Sequence, residues 1–227
     1  MSARRRHETH PAERRTRVLV DCAERVNANK RPGWPLLVAI TGPDAVGKSR
    51  FTEQLEPLVR KPVVVHLDDF HNPRSVRYGG TSDDATRYYH RSFDLTRLVE
   101  CLLEPVRAAG HLTATLDLID LPSDSRTVTR DYEVETESTL LVEGVFLMRP
   151  ELVSYWDFSI VLTAPERTTL ARAAARDKAL WGGAVEQRYE RKYIPAQRRY
   201  EQECDPMGNA DLVIDNSRWQ EPVICDA

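Results

Sequence analysis

The chain has 227 residues, 41% of them hydrophobic and 30% charged, with a net charge of -3. That balance provides a sizeable core in a soluble globular protein and excludes a surface basic enough to bind nucleic acid as a whole. No apolar run is long enough to span a bilayer and no signal-peptide core follows the N-terminal arginines, so the expectation is a cytoplasmic protein with no membrane partner.

In chain order, residues 1–30 read as a basic tail and a helix. Arg4, Arg5, Arg6, Arg14, Arg15 and Arg17 crowd the start, and residues 11–29 present Val18, Leu19, Cys22 and Val26 on one face. A solvated tail accounts for the arginines, and a basic arm touching a partner is the other reading. Five continuous apolar runs then predict strands covered on both faces: 35–41, 62–67, 138–144, 157–163 and 211–215. Helical patterns fall between them at about 47–59, from Leu95 to about 109, at about 165–178, and from about Ala184 with Val185, Tyr189 and Tyr193. Residues 112–136 alternate around a PSDS turn, which predicts an inserted hairpin. Alternating strands and helices predict an α/β fold with a five-stranded parallel sheet, one domain over 31–227 and a helical lid at about 176–190. The four cysteines lie far apart with no CxxC pair and are expected to be free thiols in a reducing cytosol.

The first strand runs into GPDAVGKS at 42–49, a G-x-x-x-x-G-K-[ST] motif after a strand and opening a helix. Gly42 and Gly47 let backbone amides turn inward around phosphate oxygens. Asp44, Ala45, Val46 and Arg50 complete the loop, Lys48 reaches the β- and γ-phosphates, and the Ser49 hydroxyl is placed for magnesium. Two further strands end in carboxylates, Asp68 and Asp69 in LDDFH and Glu143 in LLVEGVF. Ligands of open parallel sheets bind beyond the carboxyl ends of strands. Carboxylates there can serve a magnesium ion or accept a hydroxyl proton.

GPDAVGKS, LDDFH and LLVEGVF together resemble the uridine kinase family of P-loop kinases, whose relatives include pantothenate kinases and phosphoribulokinases. The likeness runs from about residue 35 to 216, where it ends in ADLVIDN. It implies a P-loop NTPase fold, ATP and Mg2+ as cofactors, and a small-molecule hydroxyl acceptor, with a homo-oligomer as one open arrangement. It assigns Asp68 as the proton acceptor and magnesium carboxylate, Glu143 as the other magnesium-site carboxylate, and Arg172 and Arg176 of RAAARD as lid arginines. Asp69 matches a variable position and reads as turn-forming. The chain departs from the pattern in two places. Trp181, Gly182 and Gly183 replace an R-G-R element, with Arg188 or Arg191 as the replacement charges. Tyr88 stands where a ribose-binding Asp would fall, and Leu116 occupies a base-contact position, while Asp117 is retained.

His71, Arg74, Tyr88 and Asp117 are thus the candidates for the acceptor side with Asp68. Arg77 beside Arg74 also reads as a solvated loop, and Tyr88, Tyr89 and Trp156 also read as packing residues. His66 and His71 flank the acidic pair, but without cysteine partners they read as a strand and a loop histidine rather than zinc ligands. The expected activity is phosphoryl transfer from ATP to a hydroxyl, with uridine or cytidine as the acceptor by resemblance. A sugar, a modified nucleoside, a pantothenate-like compound or a natural product is the alternative. A guanine-specific switch needs an N-K-x-D element, which Asn29-Lys30 does not supply, and a scaffold with a vestigial loop would not keep Lys48, Ser49, Asp68 and Glu143.

Overall fold

The computed structural model describes residues 11–225, so Arg4, Arg5 and Arg6 of the basic stretch lie outside the described residues. Helix α1 (Pro11–Ala28) leads to strand β1 (Leu36–Thr41), helix α2 (Lys48–Leu55) and strand β2 (Pro62–His66). After β2 come short helix α3 (Arg74–Arg77), α4 (Asp84–Arg91), and α5 (Leu95–Leu98), which continues through a π-helical turn (Val99–Leu103) into α6 (Glu104–Ala109). A hairpin of β3 (Leu112–Asp120) and β4 (Ser125–Val134) precedes β5 (Thr139–Gly144) and β6 (Phe158–Thr163). Helix α7 (Glu166–Trp181), α8 (Val185–Arg188), a π-helical turn (Tyr189–Tyr193), α9 (Ile194–Cys204), β7 (Leu212–Asp215) and β8 (Val223–Cys225) complete the order.

The central sheet runs β2-β5-β1-β6-β7-β8, and the hairpin forms its own two-stranded sheet. The first five strands are parallel, and β8 adds to β7 antiparallel. The expected five-stranded sheet therefore gains a sixth, antiparallel edge strand, built from a run of three residues that is too short to show a period. Helix α4 was likewise absent from the sequence expectation. The Asp83 carboxylate accepts from the Thr86 amide to start it, and Tyr88 and Tyr89 form its buried side.

β1 is buried at every position because both of its faces are covered. Leu37 and Ala39 join the hairpin and helices α4–α6 in one apolar layer, whereas Leu36, Val38 and Ile40 join α1 and α2 in the other. Leu19, Cys22 and Val26 place α1 within that second layer, so the helix at the start of the chain packs as part of the same core. Burial pushes the Cys22 thiol up to about 12, as expected of a packing residue rather than a reactive one.

β1 lies between β5 and β6, so connections leave it toward opposite sides and open a crevice at its carboxyl end. Gly42 enters that crevice. A Cβ there would stand 2.2 Å from the Leu162 carbonyl oxygen of β6, so only glycine lets the loop leave at this point.

Candidate active site

The loop after β1 turns back on itself through left-handed residues: Ala45 at φ 59 and Gly47 at φ 102. A non-glycine residue there is strained, and the strain is held by tertiary contacts. The Val46 carbonyl accepts from Asn216 Nδ2 at 2.7 Å and from Arg172 Nη1 at 3.1 Å. Arg172 Nη2 also donates to the Asn216 and Ser217 carbonyls at 2.8 and 3.1 Å. Arg172 thus clamps the loop to the segment after β7 with its donors. Behind it, Trp219 lies between the guanidinium groups of Arg15 and Arg50, 3.8 and 3.7 Å from its ring centre. Arg15 also donates to the Trp219 carbonyl at 2.8 Å.

No side chain caps the start of α2, which leaves its first amides directed into the crevice. Lys48 is buried, and its ammonium donates to the Gly42 and Pro43 carbonyls at 3.0 Å each. Ser49 Oγ donates to Glu143 Oε1 at 3.0 Å.

Glu143, on β5, pairs with His66 of β2 on one side and Ile40 of β1 on the other in the sheet register. In-register neighbours share a face, so His66 Nδ1 meets Glu143 Oε1 at 2.7 Å. That hydrogen bond raises the His66 pKa. Burial acts to raise the Glu143 carboxyl, but His66, Lys48 and Ser49 outweigh it and hold the group below its ordinary value. Glu143 is therefore a buried carboxylate kept charged by its neighbours.

Leu67–Phe70 forms one 3-10 turn, with Leu67 and Phe70 in the core. The turn separates the two aspartates. Asp68 faces the crevice, whereas Asp69 Oδ2 accepts from Arg130 Nε of the hairpin at 3.1 Å. Gly144 makes this approach possible, because a Cβ on it would stand 2.4 Å from Leu67 Cβ. The glycine after Glu143 and the apolar residue before Asp68 thus form one packing contact.

Together, Asp44, Ala45, Gly47, Lys48, Ser49, Arg50, Asp68, Glu143, Arg172 and Arg176 surround a cavity of about 290 Å³. Gly42 and Val46 lie behind its wall and are buried. Arg176 is held by Asp177, with Nε and Nη2 contacts of 2.6 and 2.9 Å, and by the Tyr189 hydroxyl at 3.3 Å. A second cavity of about 250 Å³ adjoins the first and includes His71 and Tyr88 in its lining. Two contacts connect the cavities. The Tyr88 hydroxyl donates to Asp44 at 2.9 Å, and His71 Nδ1 lies 2.6 Å from the Asp68 carbonyl oxygen. Burial raises the Asp44 carboxyl, with Lys48 and Tyr88 acting the other way, and it raises the Tyr88 hydroxyl well above its ordinary value.

Two sequence candidates stand apart from both cavities. Asp117 is exposed on the hairpin face opposite Leu116 and Leu118, and its carboxylate accepts from Thr129 Oγ1 at 3.2 Å. Arg74 is exposed, and its amide donates to Asp124 at 2.8 Å. Residues the sequence reading did not single out are brought in: Asn216 against the loop and Lys192 in the second cavity, while His66, read as a strand histidine, bonds Glu143. Among the described residues no group of three His, Cys, Asp or Glu side chains is placed to hold a metal by itself. The hydroxyl of Ser49 with Asp68 and Glu143 is an oxygen donor set that suits a hard cation completed by phosphate oxygens and water.

No family model matches the chain. Among curated proteins it is 24% identical over 153 residues to inorganic pyrophosphatase TTM1 of Arabidopsis thaliana, covering 66% of this chain and 22% of that one. It is 22% identical over 147 residues to TTM2 of the same organism, covering 63% and 20%. The chain thus spans about a fifth of the length of these curated relatives. A possible uridine kinase from Bacillus stearothermophilus superposes with a TM-score of 0.66 at 24% identity, over 87% of this chain and 98% of that one. A candidate fructose transport system kinase from Silicibacter sp. TM1040 gives 0.64 at 24% identity, over 81% and 94%. D-glycerate 3-kinase from Cryptococcus neoformans gives 0.55 at 14%, over 89% and 95%. At these identities the likeness is one of architecture, and the chain has the fold of the uridine kinase-like P-loop kinases.

Proposed function

We propose that this chain is an ATP- and Mg2+-dependent kinase that transfers the γ-phosphoryl group to a hydroxyl of a small molecule. One observation carries the reading: Lys48, Ser49, Asp68 and Glu143 leave the carboxyl ends of three adjacent strands and face a single cavity. A nucleotide-binding module without chemistry needs the loop, but it does not need an uncommitted carboxylate at the end of β2.

The α2 amides and Lys48 hold the β- and γ-phosphates. Ser49, Asp68 and Glu143 are the residues that would hold magnesium, which when bound neutralises charge on the phosphate oxygens. The acceptor enters from the second cavity. Asp68 orients its hydroxyl in line with the γ-phosphorus. The hydroxyl oxygen bonds to phosphorus as the bond to the β,γ-bridging oxygen breaks, ADP departs, and the hydroxyl proton passes to Asp68. The transition state is loose, so Asp68 needs position and charge rather than high basicity. Arg176 reaches the transferring group on exchanging its Asp177 contact for phosphate oxygens. Arg172 acts through the loop it clamps.

A nucleoside is the acceptor that the resemblance implies, and a small sugar or hydroxy acid is the alternative. The possible uridine kinase, the candidate fructose transport kinase and the glycerate kinase among the structural neighbours span both classes. Tyr88, in place of a ribose-reading carboxylate, is committed to Asp44, which favours the alternative. The four cysteines are free thiols, which suits a reducing cytosol.

The test is a phosphate-transfer screen from ATP and Mg2+ with the wild type and Lys48→Ala. Transfer by the wild type alone is the expected result. A melting shift on the order of 5–10 °C with ATP and Mg2+ reports nucleotide binding independently. No shift and no transfer would sink the reading.

A further inference from the structure

The cavity on the acceptor side is unusual in its charge. Five cations line it, Arg77, Arg87, Arg188, Arg191 and Lys192, with His71, against one carboxylate, Asp84. Two of the five are already paired. Arg87 Nη2 lies 2.5 Å from Asp84, and Arg77 Nη2 lies 3.4 Å from Asp124. The other three come from α8 and the π-helical turn that follows it, and none of them is in an ion pair among the described residues. Arg188 and Lys192 rest against uncharged aromatic groups. Arg188 Nε donates to the Tyr193 hydroxyl at 3.3 Å and lies 4.2 Å from the Trp181 ring centre. Lys192 Nζ lies 4.8 Å from the ring centres of both Tyr88 and Tyr193.

Such an arrangement costs free energy in the absence of a ligand. Like charges three and four apart on a helical segment repel, and an ammonium partly withdrawn from water without a counter-charge is disfavoured. Burial, with Arg188 adding to it, lowers the Lys192 pKa to about 8. A π-helical turn frequently marks a functional site. A neutral ribose or base entering here would desolvate the cations further and offer them no charge. An anionic group would instead receive charge-assisted hydrogen bonds from guanidinium and ammonium together.

The cations also divide between the two cavities. Arg50, Arg172 and Arg176 line the loop cavity, whereas Arg188, Arg191 and Lys192 line the other. Nucleotide phosphates therefore have their own cations, and the second set is left for a second anion. We propose, resting on the kinase reading above, that the acceptor is a hydroxyl compound bearing a phosphate monoester or a carboxylate, held at that end by Arg188, Arg191 and Lys192. Its hydroxyl then points back past Tyr88 and His71 to Asp68 in the loop cavity.

The experiment has a binding arm and a transfer arm, both on the full chain. Calorimetric titrations without nucleotide use ribose 5-phosphate against ribose, D-glycerate against glycerol, and uridine. The same compounds are offered as acceptors with ATP and Mg2+. The anionic member should bind at least about tenfold more tightly than its neutral partner, and Arg188→Met and Lys192→Met should each weaken it about tenfold. In transfer assays the substitutions should raise KM for the acceptor and leave KM for ATP in place. The melting shift with ATP and Mg2+ verifies that both variants are folded. The phosphate and carboxylate arms decide which anion the site prefers. Tighter binding of uridine or of any neutral member, no binding by either anion, or a preference that survives both substitutions overturns the inference. A rise in KM for ATP alone reassigns these cations to the nucleotide and also overturns it. Failure of the kinase reading is seen separately, as the absence of ATP binding, because the calorimetric arm contains no nucleotide.

Discussion

The two cavities, whose linings touch through Tyr88 on Asp44 and His71 on the Asp68 carbonyl, are built on opposite plans. On the loop side, polar groups are tied to protein partners before any ligand arrives: Lys48 to two carbonyls, Ser49 to Glu143, Arg172 to three carbonyls and Asn216 to Val46. On the acceptor side, Arg188 and Lys192 rest against aromatic rings, and no ion pair holds them among the described residues. The first plan is preorganisation, in which the cost of orienting donors is met during folding. The second leaves charge uncompensated until the right partner supplies it.

The sharpest way to break this contrast is at the junction. Asp68→Asn keeps the shape and removes both charge and basicity, so it should cost on the order of 10²–10⁴ in kcat. Asp69→Asn loses the Arg130 contact on an exposed hairpin and should cost about tenfold or less, as a half-exposed ion pair is worth little. Measuring kcat for both on the acceptor found in the screen decides it. A dead Asp69→Asn with an active Asp68→Asn would show that the turn presents the other carboxylate.

Next in size is the pair of α7 arginines, Arg172 and Arg176, which the resemblance places together and the structure separates. Arg176→Ala should lower kcat on the order of 10²-fold with little change in KM for ATP, since its contact strengthens as charge spreads in the transition state. Arg172→Ala should instead act on the fold of the loop. It leaves three carbonyls short of a donor and should destabilise the protein by about 1–3 kcal/mol, read as a lower Tm without nucleotide. If Arg172→Ala melts like the wild type and loses only kcat, its place is on the phosphate.

What the sequence could and could not show follows the same division. The cradle was legible because its residues are contiguous, from Gly42 to Ser49, and because the buried strands are continuous apolar runs. The contacts that complete the site join residues far apart in the chain. His66 meets Glu143 across 77 positions and Tyr88 meets Asp44 across 44, and no local period encodes either. Asp117, which the resemblance assigns to the acceptor, lies on the exposed face of the hairpin, and alternation identifies a hairpin without saying which of its faces packs inward. In the sequence Arg188 and Arg191 stand as replacements for an R-G-R element and Lys192 as an ordinary helix charge, and their shared cavity appears once α4 and the π-helical turn are set face to face. Helix α4 itself had a readable signal, the Asp83 cap ahead of Ala85, Tyr88 and Tyr89, which its few apolar residues obscured.

The smallest effect, and the one specific to the uncompensated side, is a pH dependence through Lys192. The groups that act on this ammonium are Arg188 and Arg77, which lower its pKa, and Asp44 and Asp84, which raise it, with burial the largest influence and the outcome about 8. An unfolded lysine titrates near 10.4. Between these values the unfolded chain binds more protons than the folded one, so the cost of the buried charge is fully present below about 8 and is relieved as pH rises toward 10.4. Lys192→Met removes that cost. Without ligand, the variant should melt a few degrees above the wild type at pH 7, and the gap should close as pH rises through this window. Binding of an anionic acceptor should move the opposite way. A phosphate monoester is fully dianionic above about pH 7 and the arginines stay charged, so Lys192 is the group that changes. Affinity for ribose 5-phosphate should fall about three- to tenfold between roughly pH 7 and 9.5 as the ammonium loses its proton, and in Lys192→Met it should be weaker and flat over that range. Calorimetry at three pH values measures both curves. A wild-type affinity that does not change with pH, or a variant that keeps the wild-type slope, would place the titrating group elsewhere and leave Lys192 as packing against Tyr88.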